Sequence, residues 1–138
     1  MSNFDKSMTF VFKWEGGYVN NPADPGGETK FGICKRAHPT LDIKELTEEQ
    51  ARAIYAADYW ATAGCDKLEW PMCLVVFDTA VNLGVKRALG FKDRAFNWTD
   101  YLFLRIEFYS GLAGGSIQKA SFLRGWLNRV IDLHKTAK

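Results

Sequence analysis

The sequence predicts a mainly helical protein with one small β element. Apolar residues recur at helical spacing in segments punctuated by glycine and proline, and only residues 17–33 break that pattern with a dense run of turn formers. At 138 residues, 47% hydrophobic and 14% aromatic, the chain has material for the core of one packed unit and too little length for two ordinary domains.

The first helix is expected from Phe4, where Phe4, Met8, Val11 and Phe12 form a stripe that reaches Glu15 before Gly16-Gly17 ends it. A carboxylate therefore stands at the helix end on the inward face. Tyr18-Val19 and Phe31-Gly32-Ile33 read as short strand-like pieces around Pro22-Ala23-Asp24-Pro25-Gly26-Gly27, giving a small hairpin or a rigid shaped loop. Thr47-Glu48-Glu49-Gln50 fits a capping box, and Ala51, Ile54, Tyr55 and Tyr59 trace a helix to about Trp60.

Pro71 suits the start of the next helix, which runs apolar nearly all round through Phe77 to Asn82-Leu83-Gly84 and should be central. Further helices are expected from Thr99 to Leu112 and from about Gln118 to His134. A weak boundary lies between Val85 and Asp100, where the charge balance changes: residues 1–85 carry 8 Lys and Arg against 12 Asp and Glu, residues 86–138 carry 10 against 4. The halves are thus −4 and +6, an excess that either faces an anionic polymer or simply serves solubility.

Several functions drop out on composition. The longest apolar run, Trp70 to Phe77, falls far short of the roughly 20 residues of a membrane span. The first residues lack the basic start and unbroken apolar middle of a secretory signal, so cytoplasmic synthesis is expected. Cys34, Cys65 and Cys73 are odd in number, without a CxxC, and only His38 and His134 could join them, so free thiols are expected and neither disulfides nor metal. There is no P-loop, GxGxxG or HExxH, and no organic cofactor is expected.

What remains is a set of carboxylates. Cleaving a glycosidic bond needs a protonated acid at the bridging oxygen and a second group to hold water or stabilise positive charge. Glu15, if walled by Phe12, Trp14 and Tyr18, suits the first role through desolvation, and Asp24 or the Thr29 hydroxyl could supply the second. The plainer alternatives are a solvated helix-end glutamate, a turn-forming aspartate and, for Glu28, a surface residue.

The stretch from Glu15 to Ile33, EGGYVNNPADPGGETKFGI, closely resembles the signature of glycoside hydrolase family 108, lysozyme-like N-acetylmuramidases of phages and bacteria. Tyr59-Trp60 and the block from Phe77 to Gly84 match in order. Arg105 and the run from Phe122 to Val130 resemble the peptidoglycan-binding region that follows the family's catalytic part. The resemblance implies an α+β lysozyme-like fold, a helical bundle with its hairpin next to the active-site cleft. It divides the chain into a catalytic region at 1–92 and a C-terminal region at 93–138, packed as one unit.

It also implies that Glu15 is the catalytic glutamate. Glu15, Asp24 and Thr29 resemble the Glu, Asp and Thr of the family 24 phage lysozymes, with one residue fewer before the Thr. Tyr18, Tyr59 and Trp60 are either sugar platforms or core, and Asn82 is either a sugar-binding amide or a helix cap. Asp78 reads better as a structural carboxylate than as a second catalytic one, Phe122 and Trp126 read as packing residues, and Arg105, Arg124 and Arg129 either face the wall or solvate helices.

The function expected is hydrolysis of the β-1,4 bond between N-acetylmuramic acid and N-acetylglucosamine by a monomer acting on peptidoglycan glycan strands. It would be made in the cytoplasm and released to the wall by a holin or a secretion system, without nucleic acid or membrane insertion. The rivals are a lytic transglycosylase, a non-catalytic wall-binding or phage structural module, and DNA binding through the basic half.

Overall fold

A computed structural model describes all residues, 1–138. The chain is mainly α, with one small antiparallel sheet. Helix α1 spans Asn3–Trp14, where Ser2 accepts from the Asp5 N–H and the Asp5 carboxylate reaches back to Ser2 in a capping box. Its buried face carries Met8, Phe10 and Val11.

A two-stranded antiparallel sheet follows, β1 at Thr29–Lys30 and β2 at Ile33–Cys34, with Thr29 opposite Cys34 and Lys30 opposite Ile33. That register makes Phe31 and Gly32 the two-residue turn rather than the strand expected of them. Both have positive φ, 52° and 79°, as a type I′ hairpin turn requires. Phe31 is a costly residue there, and its ring is held by Phe12 at 5.3 Å between centroids. Val19 bridges Thr29 from the other side, each N–H donating to the other's carbonyl at 2.8 Å.

Helix α2, Glu48–Tyr55, starts at the expected box, Thr47 and Gln50 exchanging both bonds. It widens into a π-helical turn, Ala56–Ala61, and a short 3-10 turn follows at Cys65–Lys67. Helix α3, Met72–Leu83, is buried without interruption from Cys73 to Ala80 and is packed by α1, α4, α5 and α7. It is the central helix.

Gly84, at φ 91°, turns the chain directly into α4, Val85–Arg94. The sequence suggests a boundary here and no helix, because α4 is highly charged and buries only Ala88 and Phe91. Helix α5 covers Trp98–Ala113, capped by Asn97 on the Asp100 N–H. The single last helix expected is two, α6 at Ile117–Ala120 and α7 at Leu123–Ala137, parted at Ser121-Phe122, where the Phe122 N–H donates to Lys119 in a tighter turn. No helix is long and apolar enough to cross a membrane.

Candidate active site

Glu15 is the first residue beyond α1. Its N–H closes the helix on the Val11 carbonyl at 2.8 Å, and its backbone turns extended, φ −93° and ψ 106°. The side chain keeps 23% of its surface open and meets Arg129 of α7, whose Nη1 donates to Oε1 at 3.0 Å.

Oε2 has no hydrogen-bond partner and faces Gly32. A methyl group at Gly32 would stand 2.9 Å from Oε2 and 2.3 Å from the Tyr55 hydroxyl, so only glycine fits this turn. The Tyr55 hydroxyl, buried, donates to the Phe31 carbonyl at 2.7 Å and pins the hairpin tip against the end of α1.

The aromatic wall expected around Glu15 is otherwise engaged. Trp14 donates its indole N–H to Asp132 at 2.7 Å, Phe12 packs on Phe31 and Tyr55, and Tyr18 points outward to donate to Glu28 at 2.6 Å. That bond to Glu28 holds the Tyr18 hydroxyl above its ordinary pKa.

Behind Glu15 lies a buried ionic cluster. Asp78 of α3 is fully buried and takes Arg129 Nη2 on Oδ1 at 2.7 Å and Arg105 Nη1 on Oδ2 at 2.7 Å. Burial opposes the charge of Asp78, but Arg105 and then Arg129 outweigh it and hold the carboxyl below the usual range. Burial likewise works against the charge of Arg129, and Asp78 followed by Glu15 more than restores it, leaving its proton affinity raised. Arg105 also donates to Thr79 at 3.1 Å and through Nε to the Tyr109 hydroxyl at 3.1 Å.

Both arginines are thus buried and structural, neither facing a wall nor solvating a helix; Arg124 alone of the three is exposed. The sequence carried a signal for this. An aspartate within an apolar helix needs cations, and Arg105 and Arg129 sit in register with the apolar stripes of their own helices, beside Tyr101 and Tyr109, and Val130 and Leu133.

Asp24 lies exposed in the loop after α1, its Oδ1 accepting the Gly26 N–H at 2.8 Å in an Asx turn. Thr29 lies half-buried in β1. No hydrogen bond joins either to Glu15. Tyr59, in the π turn, is half-buried with its ring 5.5 Å from Tyr55, and burial pushes its hydroxyl up. Trp60 wedges edge-on between Phe4 at 5.3 Å and Phe77 at 5.2 Å. Asn82, in the last turn of α3, accepts the Tyr109 hydroxyl proton on Oδ1.

The family model described as Glycosyl hydrolase 108 matches residues 8–84, more than half of the chain. The chain belongs to glycosyl hydrolase family 108. It is accordingly a glycoside hydrolase, and the matched span runs from α1 through Glu15 and the hairpin to the end of α3. Among solved structures, SagA of Brucella abortus is 26% identical with a TM-score of 0.71, over 97% of this chain and 92% of that one. No curated protein sequence matches. Arg105 and Arg129 come from beyond the family-matched span, so the C-terminal helices supply both cations of the Asp78 cluster, and Arg129 is the one that also holds Glu15.

Proposed function

We propose that this family 108 hydrolase is an N-acetylmuramidase that cleaves the β-1,4 bond between N-acetylmuramic acid and N-acetylglucosamine in peptidoglycan, with Glu15 as general acid. The observation that carries the reading is the asymmetry of the Glu15 carboxyl: Oε1 is taken by Arg129, while Oε2 is unpartnered beside the one residue without a side chain. A proton on Oε2 is then free to pass to the glycosidic oxygen as the bond breaks.

In this reading Asp24 or Thr29 positions the attacking water or stabilises the positive centre, and Tyr18, Tyr59, Trp60 and Asn82 contact the glycan. The reaction uses no metal or cofactor. The protein acts as a monomer after synthesis in the cytoplasm, reaching the wall through a holin or a secretion system, and residues 93–138 add peptidoglycan affinity.

One observation favours a second reading. The Asp24 carboxylate is engaged by Gly26, and no other carboxylate is bonded to Glu15. A single-glutamate site of that kind suits a lytic transglycosylase, which closes a 1,6-anhydro ring instead of admitting water.

Purified sacculi digested by wild type and by Glu15→Gln separate these, with the released sugar ends read by mass spectrometry. Reducing N-acetylmuramic acid ends from wild type alone are the expected result. Anhydro ends make it a transglycosylase. Sedimentation of both proteins with uncut sacculi makes it a wall-binding module.

A further inference from the structure

Arg105 can only donate, so the Tyr109 hydroxyl must accept the Nε–H that reaches it at 3.1 Å and must send its own proton elsewhere. Tyr109 is buried, and that proton goes to Asn82 Oδ1. Arg105 is itself locked by Asp78 and Thr79. The direction of every proton in the relay is therefore set from the ionic cluster outward, and the Asn82 amide cannot flip without losing its bond. Its oxygen is turned to the buried Tyr109 hydroxyl, and its Nδ2, with no partner in the protein and still reached by solvent, is left as a donor at the surface.

The ring of Tyr109 is stacked by Trp126 at 5.0 Å with 17° between ring planes, and Phe122 continues the series at 5.9 Å from Trp126. The rings step from buried Tyr109 through half-buried Trp126 to Phe122, which is 53% exposed. Phe122 is thus no ordinary packing residue; it ends an aromatic shelf adjoining a fixed amide donor.

We propose that Asn82, oriented by Tyr109 and Arg105, forms with the Trp126–Phe122 shelf a subsite for an N-acetylated hexosamine. The acetamido carbonyl accepts from Asn82 Nδ2, and the apolar face of the sugar lies on the shelf. An amide whose oxygen is turned inward to Tyr109 and whose Nδ2 is turned outward favours the acetylated sugar over its amine, whose ammonium is itself a donor. The proposal rests on the glycan-cleaving reading and adds to it the group by which the sugar is chosen.

The test titrates the uncleaving Glu15→Gln protein with tetra-N-acetylchitotetraose and with the de-N-acetylated tetramer, following the Asn82 side-chain amide by NMR. The acetylated tetramer should shift the Asn82 signals and the amine should not. Asn82→Asp in the same background offers acceptors only, so it should lose about tenfold in affinity for the acetylated tetramer and gain for the amine. Tyr109→Phe should erode the preference, and Phe122→Ala should weaken the acetylated tetramer while leaving the preference in place.

Asn82 signals indifferent to the acetylated tetramer, or an Asn82→Asp variant that keeps the wild-type preference with an unchanged unfolding midpoint, overturn the subsite. Sacculus digestion by wild type is scored separately. Acetamido-dependent shifts in a protein that releases no sugar ends uphold the subsite and defeat the hydrolase reading, and digestion without acetamido preference does the reverse.

Discussion

Arg129 donates to Glu15 across 114 residues of sequence, tying the carboxyl at the end of the first helix to the middle of the last. The same guanidinium is anchored on the opposite side by Asp78, so Glu15 is held by a cation that cannot itself move. The first and last helices are registered here and again at Asp132, which accepts from the Trp14 indole and from Lys13. The position of Glu15 is a tertiary property of the C-terminal half as much as a consequence of where α1 stops.

Arg129→Ala removes a partner from fully buried Asp78, and breaking a buried pair from one side costs about 3–5 kcal/mol. Arg129→Lys keeps a charge beside Asp78, but a single ammonium lacks the fork that reaches Asp78 and Glu15 together. Urea unfolding should show a large loss for Ala and a smaller one for Lys. Hydrolysis by the Lys variant should fall mainly in kcat, and a Lys variant with unaltered kcat would show that the bridge to Glu15 is dispensable.

Acid stability should report on Asp78. Its folded pKa is lowered by Arg105 and Arg129 against the effect of burial, so the unfolded chain binds the proton more readily than the native one. The stabilisation is therefore complete above the unfolded aspartate value of about 3.9 and is lost as pH falls below it toward the folded value. Unfolding midpoints measured downward from pH 6 should stay level on account of this group until about pH 4 and then drop. In Asp78→Asn, less stable at neutral pH, this component of the acid decline should be missing.

The helices written in amphipathic stripes and capping boxes were legible: α1 from Phe4, Met8 and Val11, α2 from Thr47 and Gln50, α3 from its unbroken apolar run. Helix α4 was not, because two buried residues in ten make no readable stripe. Nor was the Phe31-Gly32 turn, since a phenylalanine at positive φ is tolerated only where Phe12 and Tyr55 hold it. At the site, the inward placement of Glu15 and the structural character of Asp78 could be read locally. Of the arginines only the burial was signalled, by their place on apolar stripes; their pairing with Asp78 spans 27 and 51 residues, and no local pattern encodes it.

The three cysteines should divide by burial. Cys65 and Cys73 are wholly enclosed, and burial pushes the Cys65 thiol up to about 12, so neither offers a thiolate to reagents near neutral pH. Cys34, in β2, is half-buried. Titration of native protein with an aromatic disulfide at pH 8 should count one thiol, and three after denaturation; Cys34→Ser should bring the native count to zero. A native count above one would mean that the core around α3 opens on the timescale of the reagent.

Gly32→Ala tests whether the hairpin tip sets the acid. At φ 79° an alanine is strained by about 1 kcal/mol, and its methyl would overlap the Tyr55 hydroxyl and crowd Glu15 Oε2. The turn must shift, and the Tyr55 bond to Phe31 goes with it. Tyr55→Phe separates the two effects, since it deletes that bond, at about 1 kcal/mol, and leaves the space beside Oε2 open. Unfolding should therefore be affected in both variants, by about 1–3 kcal/mol for Ala and less for Phe. If Glu15 is the acid proposed above, hydrolysis should collapse only in Gly32→Ala, because only there does a side chain crowd Oε2. Equal losses of activity in the two would assign the effect to the tethering of the hairpin and not to access at Oε2.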